Sequence, residues 1–195
     1  MKNNFYHSEK VYNTKAAEVV VPIINSWFSP NSVLDIGCGL GTWLKVFYDK
    51  YDLNDILGLD DAFIDKEKLV IEQNFFNGVD LSIPFDLKRK FDLVISLEVA
   101  EHLPEESAQH FISSICKHTN TVLFSAAIPG QGGQHHINEQ WPDYWEKKFN
   151  SLGFKQYDII RPLIWKDNRI NLWYRQNIFI YSKEDLSSLG VTPPI

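Results

Sequence analysis

A short apolar segment that runs directly into a glycine turn is the feature that most restricts how this chain can fold. Residues 32–36 read SVLDI and lead into Gly37, Gly39 and Gly41, within the string VLDIGCGLGT. The apolar, β-branched composition indicates a buried strand, and the glycines permit a tight turn into a helix predicted over residues 40–48. This order of strand, turn and helix predicts an open α/β sheet with a ligand at the turn.

The rest of the chain repeats the alternation of strands and helices. A leading helix is predicted over residues 12–28, although Pro22 should kink it, and later helices are predicted from Pro104 and from Pro142 to Gly153. The further strands are predicted over residues 55–59, 75–81, 91–97, 120–126, 154–161 and 174–181. Together these elements predict a doubly wound, mostly parallel sheet.

Length, charge and cysteine usage limit the classes of function. The 195 residues predict a single domain, with a helical cap over residues 1–30, a substrate-side loop and helix over 127–150, and a tail over 187–195. A net charge of -6 provides no basic surface for wrapping DNA. The two cysteines, Cys38 and Cys116, form no disulfide framework, and the chain shows neither a signal peptide nor a membrane span. We therefore expect a cytoplasmic protein that does not bind DNA.

The glycine spacing and the acidic residues around the turn indicate the kind of ligand. The glycines follow the pattern G-x-G-x-G, and Thr42 stands where a dinucleotide fingerprint has its third glycine. Asp35, before the turn, would repel a pyrophosphate and attract a cationic group. Asp60, about 20 residues further on, can accept from both ribose hydroxyls of an adenosine, and Asp80 can accept from an adenine amino group. These residues favour a cationic nucleoside ligand over NAD.

A second polar cluster follows the predicted strand over residues 91–97. Glu98, Glu101 and His102 lie in the string EVAEH, at spacings that bring helical side chains to one face. The loop QHHIN, after the next strand, brings His136 as a candidate fourth ligand. Carboxylates and imidazoles suit a divalent ion such as Mg²⁺, Mn²⁺ or Zn²⁺. Two alternatives remain open: the carboxylates begin a solvated helix without metal, and His135 or His136 acts as a general base.

The strings VLDIGCGLGTWL, LGLDD, GVDL and FDLVISLEVAEHL resemble those of class I S-adenosylmethionine-dependent methyltransferases over nearly the whole chain. The resemblance implies a Rossmann-like, seven-stranded, mostly parallel sheet whose last strand is antiparallel. It also implies S-adenosylmethionine as the cofactor, with its amino-acid end over Asp35 and the glycine turn, its ribose on Asp60 and its adenine near Asp61. The cofactor-binding residues that follow are Asp35, Gly37, Cys38, Gly39, Thr42, Asp60, Asp61, Asp80, Leu81 and Leu97.

The pattern E-x-x-E-H is similar to that of the small-RNA 3'-end ribose methyltransferases and the ubiquinone-pathway catechol methyltransferases, in which these residues bind a metal. By this resemblance the metal ligands are Glu98, Glu101, His102 and His136. The acceptor in both groups is a hydroxyl, and a metal lowers the pKa of a hydroxyl and orients it. The segment IPGQGGQHHINEQWPDYW, with LIWKDN and WYRQNIFIY, is similar to small methyltransferases of bacterial surface-polysaccharide and sugar modification.

These resemblances lead to one hypothesis and two alternatives. The hypothesis is a metal-assisted O-methyltransferase that acts on a saccharide hydroxyl, or on a phosphoryl-type oxygen, of a capsule or surface-polysaccharide precursor. The side chains expected to hold the saccharide are Gln131, Asn138, Gln140, Trp141, Tyr144, Trp165 and Arg175. The first alternative, methylation of an RNA 3' ribose, is disfavoured by the net charge of -6. The second is an inactive, cofactor-binding partner module. The string Asn-Pro-Pro-Tyr is absent, which disfavours N-methylation of DNA.

Overall fold

The computed structural model describes residues 13–187 and residue 189, which are organised around one sheet of seven strands. The strands are β1 (Val33–Ile36), β2 (Ile56–Asp60), β3 (Phe76–Gly78), β4 (Leu93–Leu97), β5 (Thr121–Ser125), β6 (Lys155–Tyr157) and β7 (Phe179–Ser182). Their order across the sheet is β3-β2-β1-β4-β5-β7-β6. Neighbours are parallel except in the pairs β5–β7 and β6–β7. The predicted sheet, with its antiparallel last strand, is confirmed.

The helices cover both faces of the sheet. They are α1 (Lys15–Phe28), α2 (Thr42–Tyr51), α3 (Ala108–Lys117), α4 (Pro142–Asn150), α5 (Arg161–Ile164) and α6 (Leu172–Asn177). Successive strand residues point to opposite faces, so Leu93 and Ile95 join the apolar cluster that packs against α1 and α2, while Val94 joins the one that packs against α3 and α4. Within the described ranges, no helix combines the length and the apolar character that crossing a membrane requires.

Two predicted strands differ from the structure. One is shortened ahead of a proline, and the other is replaced in part by a helix that packs on a residue distant in sequence. The strand predicted over residues 154–161 stops at Tyr157, and α5 begins at Arg161 because Pro162 has its φ angle preset for a first helical turn. The prediction of a strand over residues 174–181 was wrong in its first half, which is helical in α6. Tyr174 packs there edge-on against Trp43 of α2, with ring centroids 5.5 Å apart. This distant contact is invisible to local β-propensity.

The remaining differences lie at element ends. Helix α1 continues through Pro22 without a break, and it begins at Lys15, while residue 12 lies outside the described part of the chain. The strand predicted over residues 75–81 is shorter, because Asp80 turns the chain by accepting a hydrogen bond from the backbone N–H of Ser82 at 2.9 Å. The segment after Pro104 begins as a 3₁₀ turn, Glu105–Ser107, before α3.

Candidate active site

The turn between β1 and α2 packs closely against neighbouring segments of the chain. Gly37 and Gly41 have φ angles of +82° and +84°, which side-chain-bearing residues rarely adopt. A Cβ at Gly37 would lie 2.2 Å from Cγ2 of Val99, and one at Gly41 would lie 2.7 Å from Cγ1 of Ile71. The backbone N–H of Gly37 donates to the carbonyl oxygen of Leu59 in β2 at 2.7 Å. The glycines therefore allow the turn to lie against β2 and the segment after β4.

The acidic residues predicted to hold the nucleoside take part in the structure of the turn. Asp60 accepts hydrogen bonds from the backbone N–H groups of Gly39 and Asp61, each at 2.7 Å. It therefore fixes the turn directly, and its carboxylate lies beside the strand ends where ligands of such sheets bind. Asp80 accepts from both the N–H and the hydroxyl of Ser82, at 2.9 and 2.6 Å. An adenine amino group could therefore bind only to the lone pairs of Asp80 that these bonds leave.

Asp35 is the buried charge beneath the turn. Only 2% of the residue is exposed, and its Oδ2 atom has no hydrogen-bond partner. Burial, and secondly the nearby charge of Asp60, raise the pKa of the Asp35 carboxyl well above its usual range. A cationic ligand would relieve both effects, because it would pair with the carboxylate. The other predicted cofactor residues that lie buried around this region are Cys38, Gly39, Thr42, Leu81 and Leu97.

The segment after β4 places one carboxylate in a fully buried position. Ala100–His102 forms a single 3₁₀ turn rather than the start of an α-helix. Glu101 is 0% exposed, and neither of its carboxylate oxygens makes a hydrogen bond. Burial, and then the charge of Glu98, raise the pKa of Glu101 well above its usual range. Backbone N–H groups of Glu101 and Ala127 lower the pKa in part, but they do not reach hydrogen-bond geometry.

The loop after β5 docks on the backbone of the same residue. The N–H groups of Ile137 and Asn138 donate to the carbonyl oxygen of Glu101 at 2.9 and 3.0 Å. This docking places Nε2 of His136 4.0 Å from Oε1 of Glu101 and the ring of His136 4.8 Å from that of His102. The ligand atoms of Glu101, His102 and His136 all lie within 4.8 Å of one another. Residues from two separate loops thus meet in one cluster.

The hydrogen bonds of the two imidazoles indicate which nitrogen atoms can bind a ligand. Nδ1 of His102 lies 3.3 Å from the carbonyl oxygen of His135, and Nδ1 of His136 lies 2.8 Å from Oε1 of Glu139. Carbonyl and carboxylate oxygens only accept, so each Nδ1 carries the proton and each neutral ring has its lone pair on Nε2. Burial lowers the pKa of His102 to about 4, which keeps this ring neutral at pH 7.

The cluster fits a divalent cation. Glu101 has two buried oxygen atoms without partners, and such a carboxylate needs a positive charge close by. A Cβ at Gly133 would lie 2.2 Å from Nε2 of His136, so the glycine keeps that nitrogen accessible. Donor atoms bound to one ion at about 2.1 Å lie roughly 3.4 Å apart at tetrahedral angles and about 4.2 Å apart when they face each other across the ion. The ligand atoms of the cluster lie within 4.8 Å of one another, so the widest pair would have to approach by about 0.6 Å or more to bind one ion.

Glu98 lies outside this three-residue cluster and has its own partners. Its Oε2 accepts from the side-chain amide of Gln131 at 2.8 Å, and its Oε1 accepts from that of Asn177 at 3.2 Å. The same Asn177 amide donates to Oε1 of Gln131 at 2.7 Å. Burial raises the pKa of the Glu98 carboxyl, and these hydrogen bonds lower it in part. Glu98, which was predicted as a metal ligand, is thus a carboxylate adjacent to the cluster and hydrogen-bonded by two amides. The side chain of His135 is exposed.

The side chains predicted to hold a saccharide divide into two groups. Gln131 and Asn138 are engaged within the site, since Asn138 is 4% exposed and accepts a hydrogen bond from Gln140 at 3.0 Å. Trp141 and Trp165 are 56% and 52% exposed, and they are therefore open to stacking. Arg175 donates to the carbonyl oxygen of Trp165 at 3.0 Å. The remaining residue of the set, Tyr144, packs edge-on against Trp145.

The sequence analysis missed two residues of the site. Glu139 holds His136, and the spacing H-x-x-E was a signal that could have indicated this contact, because residues three apart can meet in a turn. Asn177 reaches Glu98 across 79 residues of sequence. No local signal indicated that contact, since a strand was predicted there.

Comparisons with known proteins bear on the family and the fold of the chain. The sequence profile described as a methyltransferase domain matches residues 12–187. No curated protein matches the sequence. A sugar N-methyltransferase, KedS8 from a Streptoalloteichus species, superposes with a TM-score of 0.66 at 13% identity, over 95% of this chain and 98% of that one.

Two further solved structures are similar. CalS10 from Micromonospora echinaspora, an amino pentose methyltransferase with bound S-adenosylmethionine, has a TM-score of 0.64 at 15% identity, over 94% of this chain and 100% of that one. The methyltransferase domain of bacterial CtHen1 has a TM-score of 0.62 at 17% identity, over 87% and 98% of the two chains. These likenesses show the fold, and the match to the profile covers most of the chain. The chain belongs to the methyltransferase domain family and is an S-adenosylmethionine-dependent enzyme.

Proposed function

We propose that the protein transfers a methyl group from S-adenosylmethionine to an oxygen of a saccharide, with a divalent ion bound by Glu101, His102 and His136. The acceptor oxygen is a hydroxyl or a phosphoryl-type oxygen of a surface-polysaccharide precursor. The observation that carries the proposal is the Glu101 carboxylate, buried and without hydrogen bonds, within reach of two imidazoles that present Nε2. Mg²⁺, Mn²⁺ and Zn²⁺ all accept carboxylate and imidazole ligands.

The residues of this chain perform binding and orientation. Asp35 pairs with the cationic amino-acid end of the cofactor, the glycine turn lets it approach the backbone, and Asp60 receives the ribose hydroxyls. The cofactor supplies the methyl group on a sulfonium. As the oxygen–carbon bond forms and the sulfur–carbon bond breaks, the hydroxyl releases its proton. A divalent ion supplies a lower hydroxyl pKa and a fixed orientation.

The proton needs an acceptor in this scheme. Where no ion is bound, Nε2 of His136 is the general base, because Nδ1 is engaged by Glu139 and Nε2 lies within the cluster, 4.0 Å from Oε1 of Glu101. His135 stays the second candidate, with an exposed side chain. Holding the two reactants side by side provides the larger part of the acceleration expected of such an enzyme.

The acceptor class rests on the resemblance and on two of the similar structures. KedS8 is described as a sugar N-methyltransferase and CalS10 as an amino pentose methyltransferase. Exposed Trp141 and Trp165 offer stacking faces for a sugar ring. One second candidate follows from the site itself. The buried carboxylate of Glu101 and the half-buried one of Glu98 would also attract the ammonium group of an amino sugar. Once this group has given up a proton, its amine nitrogen would take the methyl group, which would make the reaction an N-methylation.

One experiment distinguishes the candidates. The protein is incubated with labelled S-adenosylmethionine, matched hydroxy and amino sugar phosphates and RNA, with Mn²⁺ or with a chelator. Label on the hydroxy sugar that the chelator abolishes supports the proposal, and label on the amino sugar despite the chelator supports the second candidate. Glu101→Gln should lose the metal-dependent activity, whereas Glu106→Gln, an exposed carboxylate on the neighbouring turn, should keep it. Label on RNA alone would overturn both.

A further inference from the structure

Glu139 is the centre of a small hydrogen-bond cluster on the loop after β5. Its Oε2 accepts from the backbone N–H of Gly130 at 2.8 Å, and its Oε1 accepts from that of Gly132 at 3.0 Å. Oε1 also lies 2.8 Å from Nδ1 of His136. Gly130 and Gly132 have φ angles of +87° and +69°, so the loop takes a conformation that suits glycine at both positions. The loop backbone therefore fixes the position of this carboxylate.

The contact determines the chemical form of His136. A neutral imidazole can carry its proton on either ring nitrogen, and the two tautomers present opposite lone pairs. A carboxylate accepts only, so the contact with Glu139 selects the form that is protonated on Nδ1. The lone pair is then on Nε2, the nitrogen that lies 4.0 Å from Oε1 of Glu101. Glu139 is not one of the three residues whose ligand atoms form the cluster, and its hydrogen bond to His136 is made with Nδ1.

We propose that Glu139 is a positioning residue, which holds His136 in the Nδ1-protonated tautomer and directs its Nε2 atom towards Glu101 and His102. The inference rests on the proposed function, because the metal is what this arrangement prepares. A carboxylate behind a ligating imidazole orients the ring and raises its basicity, and loss of such a partner weakens metal binding by roughly 10- to 100-fold.

The tautomer is measured first, and this measurement needs no metal. Protein labelled with ¹⁵N in histidine is examined by NMR in metal-free buffer at about pH 8, where imidazoles are neutral. His136→Gln assigns the resonances. The wild type should show His136 protonated on Nδ1, and Glu139→Ala should lose this preference. Glu139→Gln should keep it, because the amide oxygen can still accept from Nδ1. An unchanged tautomer in Glu139→Ala would overturn the inference.

The affinity for Mn²⁺ is measured next on the same proteins by calorimetry. Glu139→Ala should bind Mn²⁺ roughly 10- to 100-fold more weakly, Glu139→Gln should recover part of the affinity, and Glu106→Ala should match the wild type. If Glu139 only held the loop structure, Glu139→Gln would not restore Mn²⁺ affinity. The amide nitrogen of the glutamine would face the N–H of Gly130, and two donors cannot form a hydrogen bond with each other. Equal affinities in the wild type and Glu139→Ala would overturn the positioning role.

The two proposals fail in different ways. If the wild type binds no Mn²⁺ and shows no chelator-sensitive methyl transfer, the metal-assisted function is wrong, whatever the state of the imidazole. In that case the NMR result still decides whether Glu139 selects the tautomer of His136. If the wild type binds Mn²⁺ and the Glu139 variants behave like it in both measurements, the proposed function stands and only the positioning role falls.

Discussion

Replacing Glu101 by glutamine should stabilise the metal-free protein while it removes metal binding. The wild-type carboxylate is 0% exposed, has no hydrogen bond to either oxygen and lies near Glu98. An unpaired buried charge of this kind destabilises a fold by several kcal/mol at most, and protonation of the carboxyl limits the effect. We therefore expect Glu101→Gln to raise the free energy of unfolding by about 2 kcal/mol at neutral to alkaline pH. For a chain of this size this corresponds to an increase in Tm of roughly 4–8 °C.

The stability difference between Glu101→Gln and the wild type should depend on pH in a definite direction. Because the pKa of Glu101 is raised by burial, the folded protein keeps this proton to a higher pH than the unfolded chain does. The wild type therefore loses stability as the pH rises above the unfolded value of about 4.3, and the loss levels off above the raised folded value. The glutamine variant lacks this loss. Its advantage should be small at about pH 4 and largest at about pH 8.

Thermal melts in metal-stripped buffer test the reasoning, with Glu106→Gln as the matched control. Added Mn²⁺ should raise the Tm of the wild type and of the control, because it binds the folded state only, and should leave the Tm of Glu101→Gln unchanged. If Glu101→Gln is no more stable than the wild type at about pH 8, the carboxylate has a favourable partner in the folded state, and the argument that it needs a cation is refuted.

Three further substitutions test other parts of the site. Gly133→Ala should weaken Mn²⁺ binding at least roughly tenfold without changing S-adenosylmethionine affinity, because its Cβ would lie 2.2 Å from Nε2 of His136; calorimetry with each ligand shows whether the two effects separate. Asp60→Ala should weaken cofactor binding and lower the Tm slightly, since Asp60 also accepts from Gly39; an unchanged affinity would contradict its ribose contact. Gly37→Ala should lower the free energy of unfolding by about 2 kcal/mol, through its φ of +82° and the clash with Val99; denaturant unfolding measures this loss, and a neutral result would show that the turn adjusts.

The glycine turn and the sheet were predictable because their signals are local. Successive side chains of the run VLDI point to opposite faces of a buried strand. The G-x-G-x-G pattern follows this strand directly. Val33 and Leu34 accordingly pack in clusters on opposite faces of the sheet. The first half of the segment over residues 174–181 was not predictable in this way. Its helix is decided by the packing of Tyr174 on Trp43, which lies 131 positions earlier in the chain by residue number.

The sequence by itself determined the strand–turn–helix unit, the alternation that leads to a doubly wound sheet, and the types of residue at the strand ends. Only the tertiary structure decided which of those residues meet. His136 joins Glu101 because Ile137 and Asn138 hydrogen-bond to the backbone of Glu101, whereas the carboxylate of Glu98 is hydrogen-bonded by Gln131 and Asn177. The physical reason is the sequence distance over which each effect acts. Hydrophobic periodicity and turn chemistry act over a few neighbouring residues. The burial and pairing of charged groups depend on loops that are far apart in sequence and that only the folded sheet brings together.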